Sequence, residues 1–153
     1  MAYVNILDQA TGLALDSNAN NDVYTDQFNG SLSQQWLLII PEPDPTNGAI
    51  FIQNVATGLY LEGKGAPGFG NVYTNSFSGS AFQQWGLLNG PNSSFHIQHV
   101  ESQLLLDSNA DGQVYTNSPN GGPFQNWSVV TVGAAMTEKE LTSLKAPPIP
   151  ASA

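Results

Sequence analysis

The apolar positions of this chain hold no helical period of useful length. They fall in short runs that alternate apolar and polar residues, as in "FIQNV" (Phe51 to Val55) and "FHIQHV" (Phe95 to Val100), or that are almost wholly apolar, as in "WLLII" (Trp36 to Ile40) and "WSVVTV" (Trp127 to Val132). Alternation fits a strand with one buried face, and a short bounded apolar run fits a strand buried on both faces. Clusters of Asn, Gly, Asp and Pro separate the runs and form turns through positive φ and local side-chain hydrogen bonds. The pattern predicts an all-β chain of about twelve short strands.

The pattern also repeats. "LALDSNANNDVYTDQFNGSLSQQW" (Leu13 to Trp36), "LYLEGKGAPGFGNVYTNSFSGSAFQQW" (Leu59 to Trp85) and "LLLDSNADGQVYTNSPNGGPFQNW" (Leu104 to Trp127) can be laid over one another. Tyr24, Tyr73 and Tyr115 each precede a tryptophan by twelve residues. Asp16 and Asp107 stand eight before their tyrosines, whereas Glu62 stands eleven before Tyr73, so the middle copy carries a three-residue insertion around Gly63 to Gly68. Upstream echoes, "NILDQATG", "IQNVATG" and "IQHVESQ", extend each repeat to about forty to fifty residues. Copies this short cannot bury a core alone. A three-fold β-trefoil barrel over 1–133, with lobes of about 1–47, 48–92 and 93–133, meets the need; a three-bladed propeller is the alternative, below the usual range of blade numbers. Residues 134–153 read as a tail: Thr137 and Glu140 sit at capping-box spacing before Leu141 and Leu144, and "APPIPASA" follows as an extended Pro-rich segment.

Charge narrows the partners. Twelve acidic residues against three lysines give a formal charge of -9, and Lys64 is the only basic side chain of the main body apart from two histidines. Nucleic acid and anionic membranes need clustered Lys or Arg, so neither is expected. Only 10% of the residues are charged, which leaves a surface of Asn, Gln, Ser, Thr and Gly suited to a neutral, hydroxyl-rich ligand. There are no cysteines, and no stretch has membrane-spanning length. The start "MAYVNILDQATG" lacks a basic head and apolar run, so a soluble, leaderless chain is expected, cytoplasmic or exported by a non-classical route.

The recurring order of Asp, Val-Tyr-Thr, Asn-Gly and Gln-x-Trp resembles the ricin-type β-trefoil lectins, and its wording from Leu106 to Trp127 is closest to the actinohivin-like lectins. The resemblance spans residues 3 to 132. Alternation along a strand would turn Gln34 with Trp36, Gln83 with Trp85 and Gln125 with Trp127 inward, the indoles as core and the amides as anchors for turn backbone. These six positions account for the fold rather than the ligand.

The resemblance implies one shallow sugar site per lobe, in which an early carboxylate accepts hydrogen bonds from two sugar hydroxyls and a later amide adds another. Carried over residue by residue, the third lobe offers Asp107, Tyr115, Asn117, Asn120 and, as an apolar wall, Phe124. The first offers Asp16, Tyr24, Asp26 and Asn29, with Ser33 in place of the wall. The middle lobe offers Glu62, Tyr73, Asn75, Ser78 and Phe82, with a longer carboxylate and no late amide, and is expected to be the weaker site. Taken singly, Asp107 in "LDSNADG" reads as a turn residue; the company of Tyr115, Asn120 and Phe124 points to a sugar.

No catalytic group is expected: Asp16 and Asp107 belong to different lobes, and no nucleophile elbow or phosphate loop occurs. His96 and His99 point to opposite faces of one strand and make a poor metal pair. No cofactor or metal is expected. The partners are therefore glycans or glycoproteins, mannose-type first and galactose or N-acetylgalactosamine next, with association into a homo-oligomer left open. Two other classes stand beside this non-enzymatic lectin: a carbohydrate-binding module of a larger hydrolase, and a β-trefoil protease inhibitor acting through "IPEPDPTNGA" (Ile40 to Ala49).

Overall fold

The structure is a computed structural model and describes residues 2–41 and 48–132. The expected tail helix and Pro-rich segment, and most of the candidate inhibitory loop, lie outside the described residues.

Among the described residues each lobe contributes the same four strands in the same order, and the middle lobe adds a short fifth. The first holds β1 (Ala2–Asp8), β2 (Ala14–Ser17), β3 (Val23–Asp26) and β4 (Trp36–Ile39). The middle lobe holds β5 (Phe51–Asn54), β6 (Tyr60–Gly63), the two-residue β7 (Gly68–Phe69), β8 (Val72–Asn75) and β9 (Trp85–Asn89). The third holds β10 (Phe95–His99), β11 (Leu105–Ser108), β12 (Val114–Asn117) and β13 (Trp127–Thr131). Twelve strands follow the repeat, and the thirteenth, β7, lies in the middle lobe's insertion, where sequence predicts only a loop.

The first and last strands of each lobe close a barrel. β1 pairs with β4, β4 with β5, β9 with β10, β10 with β13 and β13 with β1. The Ile50–Trp85 bridge joins β5's entry to β9. The middle strands form three hairpins, β2/β3, β6/β8 and β11/β12. These meet around the pseudo-three-fold axis: Thr25 N–H donates to Gly112 O at 2.9 Å and Thr74 N–H to Asn21 O at 3.0 Å. At the third junction Thr116 N–H donates to the side-chain Oδ1 of Asn71 at 3.1 Å. Asn71 Nδ2 also donates to Ala66 O and Thr116 Oγ1, so one amide ties the insertion to β12. Six barrel strands and three hairpins around one axis make this a β-trefoil.

The core is built in triplets, because equivalent inward positions of the three lobes converge. Ile6, Ile52 and Ile97 form one set, Leu15, Leu61 and Leu106 another, and Val23, Val72 and Val114 a third. Trp36, Trp85 and Trp127 are fully buried among them. A buried indole N–H needs an acceptor. These donate to Leu15 O, Leu61 O and Leu106 O at 2.9, 3.0 and 3.0 Å.

One detail differs from the sequence reading. Gln34, Gln83 and Gln125 end one-turn 3-10 helices, Leu32–Gln34, Ala81–Gln83 and Pro123–Gln125, instead of lying on strands. They are buried even so, because each turn leads straight into the tryptophan strand.

Candidate functional site

The expected site residues come together lobe by lobe, through strand register. Asp16 on β2 lies directly opposite Tyr24 on β3, and Asp107 on β11 opposite Tyr115 on β12. Glu62 and Tyr73 occupy the same places on β6 and β8. Directly opposed residues share a face, so each lobe presents a carboxylate beside a phenol.

The two aspartates lie on strands rather than in polar turns, and each is only 3% exposed. Asp16 Oδ1 accepts Ser17 N–H at 2.8 Å, and Oδ2 accepts Gln34 Nε2 at 3.1 Å. Asp107 repeats this with Ser108 N–H at 2.8 Å and Gln125 Nε2 at 3.1 Å, and Asn117 Nδ2 adds a long bond of 3.4 Å. The glutamines therefore do more than fill the core. Gln34 also donates to Gln27 O and accepts Asn29 N–H, and Gln125 does the same with Ser118 O and Asn120 N–H. One amide thus fixes the carboxylate and the loop bearing the late asparagine together.

The middle lobe differs at its acid. The extra methylene carries Glu62 out to Tyr73, whose OH donates to Oε2 at 2.6 Å, while Gln83 Nε2 donates to Oε1 at 2.9 Å. In the outer lobes the phenols donate to backbone, Tyr115 to Ser108 O at 3.1 Å and Tyr24 to Ser17 O at 3.5 Å. Burial, the Glu62 hydrogen bond and its charge push Tyr73 up to about 12. Burial, then neighbouring carboxylates, raises Tyr24 and Tyr115 as well. All three remain protonated O–H donors at neutral pH.

Asp26, Asn75 and Asn117 each accept the next residue's N–H, at 2.8, 2.9 and 2.9 Å. Their polarity thus has a local folding role. Asn29 and Asn120 are exposed and accept Ser31 N–H and Gly122 N–H through Oδ1, at 2.9 and 2.7 Å. Ser78 accepts Ser80 N–H at a longer 3.3 Å. Phe124 is half-buried and Phe82 exposed.

His96 and His99 are engaged separately. His99 is fully buried, with its ring nitrogens on Ser102 Oγ and Phe82 O, while His96 reaches Asn126 Oδ1. Among the described residues no group of three or more His, Cys, Asp or Glu could hold a metal ion.

Sequence reasoning missed two things. It gave the Gln-x-Trp glutamines no part in the site, although their spacing marks it: Gln follows the acid by eighteen residues in the outer lobes and, with the three-residue insertion, by twenty-one in the middle one. It also left Phe69 unassigned. Phe69 is 68% exposed, pairs with Tyr115 from β7, and packs edge-to-face on its ring at 4.9 Å and 85°.

Comparison with solved structures agrees with this architecture. The designed three-fold symmetric protein ThreeFoil is 24% identical, with a TM-score of 0.74 over 84% of this chain and 97% of that one. An exo-beta-1,3-galactanase from Clostridium thermocellum is 23% identical, with a TM-score of 0.76 over 86% of this chain but only 30% of the enzyme. SeviL, solved bound to asialo-GM1 saccharide, is 16% identical, with a TM-score of 0.72 over 86% of this chain and 98% of that one. At these identities the likeness establishes the fold. No curated protein shows a sequence match to the chain. The family model described as "Ricin-type beta-trefoil lectin domain-like" matches residues 32–117, more than half of the chain. With the three Gln-x-Trp cores and the closed trefoil, that match makes the chain a member of the ricin-type beta-trefoil lectin domain-like family.

Proposed function

We propose that this chain is a non-enzymatic lectin that binds neutral glycans through the carboxylate and phenol rows of its lobes, Asp16 and Asp107 being the principal acceptors. The observation that carries the reading is the repeated clamp in which Gln34 and Gln125 hold these carboxylates in place. An ionised carboxylate offers about four lone-pair positions. Ser17 N–H and Gln34 occupy two on Asp16, and three donors occupy Asp107, which leaves capacity for sugar hydroxyls in both lobes. The nearby phenols supply an apolar edge and an O–H, and Asn29 and Asn120 an amide at each rim. In the middle lobe the same capacity is drawn toward Tyr73, so Glu62, Tyr73, Asn75, Ser78 and Phe82 form the weaker site.

Asp8 is not counted among these acceptors: it is fully buried, and burial raises its carboxyl to about 6. Single sites of this shallow kind bind in roughly the millimolar range, and two or three acting together raise the apparent affinity for arrayed glycans by about a hundred-fold or more. Mannose-type termini come first, then galactose and N-acetylgalactosamine. A second reading has its own support: the similar galactanase is mostly other sequence, so the same sites could serve as the glycan-binding module of a larger enzyme.

A glycan array bearing mannose, galactose and N-acetylgalactosamine termini tests the assignment. Wild type binds at least one class, and the Asp16→Asn/Asp107→Asn double variant, isosteric and checked for an intact fold, loses it by about a hundred-fold. Unchanged binding by the folded double variant rejects these carboxylates as the site.

A further inference from the structure

Each lobe's carboxylate and phenol have a third neighbour that comes from a different lobe. Opposite Tyr24 stands Gln113, and opposite Tyr73 stands Asp22. By three-fold repetition Tyr115 should meet Asn71, which precedes Val72 as Asp22 precedes Val23 and Gln113 precedes Val114. The insertion changes this. β7 slides in beside β12, so Tyr115 is paired with Phe69. Asn71 becomes the anchor beneath, bonded to Ala66 O and to Thr116.

The third lobe therefore carries a row of three same-face side chains across neighbouring strands: Asp107, Tyr115 and Phe69. At ordinary strand spacing the row spans about 10 Å, close to the length of a two-ring glycan. Its outer end is an open cleft of about 390 Å³, lined by Pro67, Gly68, Phe69, Tyr115 and Asn117. Among the described residues Phe69 is the most exposed large apolar side chain. Its contact with Tyr115 is edge-to-face and leaves ring surface open. An exposed phenyl next to polar groups in a cleft suits the C–H face of a pyranose, which has no charge and presents apolar hydrogens on one side. Gln113 and Asp22, at the matching places of the other rows, cannot supply such a surface.

We infer that Phe69, with Pro67 beside it, forms a second subsite of the third lobe that stacks the next ring of a glycan whose terminal sugar is held at Asp107. This rests on the reading of Asp107 as a sugar acceptor. It makes the third lobe selective for disaccharides and longer chains, a preference that the first lobe lacks.

The test uses the full chain carrying Asp16→Asn, which leaves the third lobe as the stronger site. Calorimetric titrations compare methyl α-mannoside with mannobiose, and methyl β-galactoside with lactose. In this background the disaccharide of the recognised pair binds more tightly than its monosaccharide. Phe69→Ala lowers disaccharide affinity about five-fold, leaves the monosaccharide within two-fold, and Phe69→Trp restores the disaccharide. Phe69 lies outside the buried core, so the variants keep the parent's melting temperature. Equal affinities of Phe69→Ala and its parent for the disaccharide overturn the subsite while leaving the lectin reading intact. Failure of the wild type to bind any of the four probes or methyl N-acetylgalactosaminide overturns the lectin reading, and the subsite with it.

Discussion

Asp8→Asn stabilises the fold at pH 7 by about 3 kcal/mol and flattens its stability between pH 4 and 7. Asp8 ends β1 and is fully buried. It accepts Ala10 N–H at 2.8 Å and Ser108 Oγ–H at 3.3 Å, but these do not offset the loss of water, and the nearby Asp107 adds repulsion. Burial therefore raises the carboxyl from 3.8 to about 6. The sign follows from proton binding: between those values the folded chain holds a proton that the unfolded chain has lost. The stabilisation from Asp8 is complete below about pH 4 and is lost as pH rises through 6, and the shift corresponds to about 3 kcal/mol. The equivalent residue in the middle lobe is Asn54, which accepts Ala56 N–H at 3.1 Å and donates Nδ2 to Ser33 O at 2.8 Å. His99 plays that donor's part in the third lobe, toward Phe82 O. An Asn at position 8 keeps the acceptor for Ala10, gains a donor like its two counterparts, and carries no charge. Denaturant unfolding at pH 4.5 and pH 7 checks this: the gain of the variant over wild type is small at the lower pH and full at pH 7. A variant less stable than wild type at pH 7 contradicts the account.

Gln125→Ala has the largest opposite effect. The side chain makes three hydrogen bonds in a buried position: to Asp107 Oδ2, to Ser118 O, and from Asn120 N–H. Truncation leaves a buried carboxylate without its principal side-chain donor and two backbone groups unpaired. At about 1 to 3 kcal/mol for each orphaned group, partly relieved by water, the expected loss is about 3 kcal/mol. Glycan binding by the third lobe should fall further than stability alone explains, because Asp107 and the Asn120 loop are no longer held together. Gln125→Glu provides the contrast, since it keeps the volume but sets a second carboxylate against Asp107, so its stability rises as pH falls into the carboxylate range. Thermal melts with glycan titration of the folded fraction check both. Wild-type stability and binding in Gln125→Ala would remove the glutamine clamp from the mechanism.

Much of this was legible in the sequence because the repeat acts on the core. Equivalent leucines, valines and tryptophans had to converge, and three tyrosine-to-tryptophan intervals of twelve residues announced it. The acid and tyrosine of each lobe were legible as partners because they recur in the same order before each tryptophan, eight residues apart in the outer lobes and eleven in the middle one. The burial of the aspartates was not. "LDSN" reads as a turn because Asp, Ser and Asn all bond local backbone, and nothing within those four residues shows that a glutamine eighteen positions later closes on the carboxylate. β7 was hidden for a related reason. "GKGAPGFG" is rich in the residues that weaken strands, and its pairing partner β12 lies in another lobe, so only the assembled barrel places Phe69 beside Tyr115.

The assignment of Asp16 and Asp107 as sugar acceptors is tested most directly at the amides that touch them. In a proton–nitrogen NMR titration with mannobiose and lactose, the side-chain Nε2 signals of Gln34 and Gln125 should move with the bound sugar, while that of Gln98, which donates to Gln103 O at 3.1 Å, stays still. If a sugar binds with both clamp amides silent, and the shifts gather instead at the axial cleft between Asp22 and Asp111, these carboxylates do not hold the ligand.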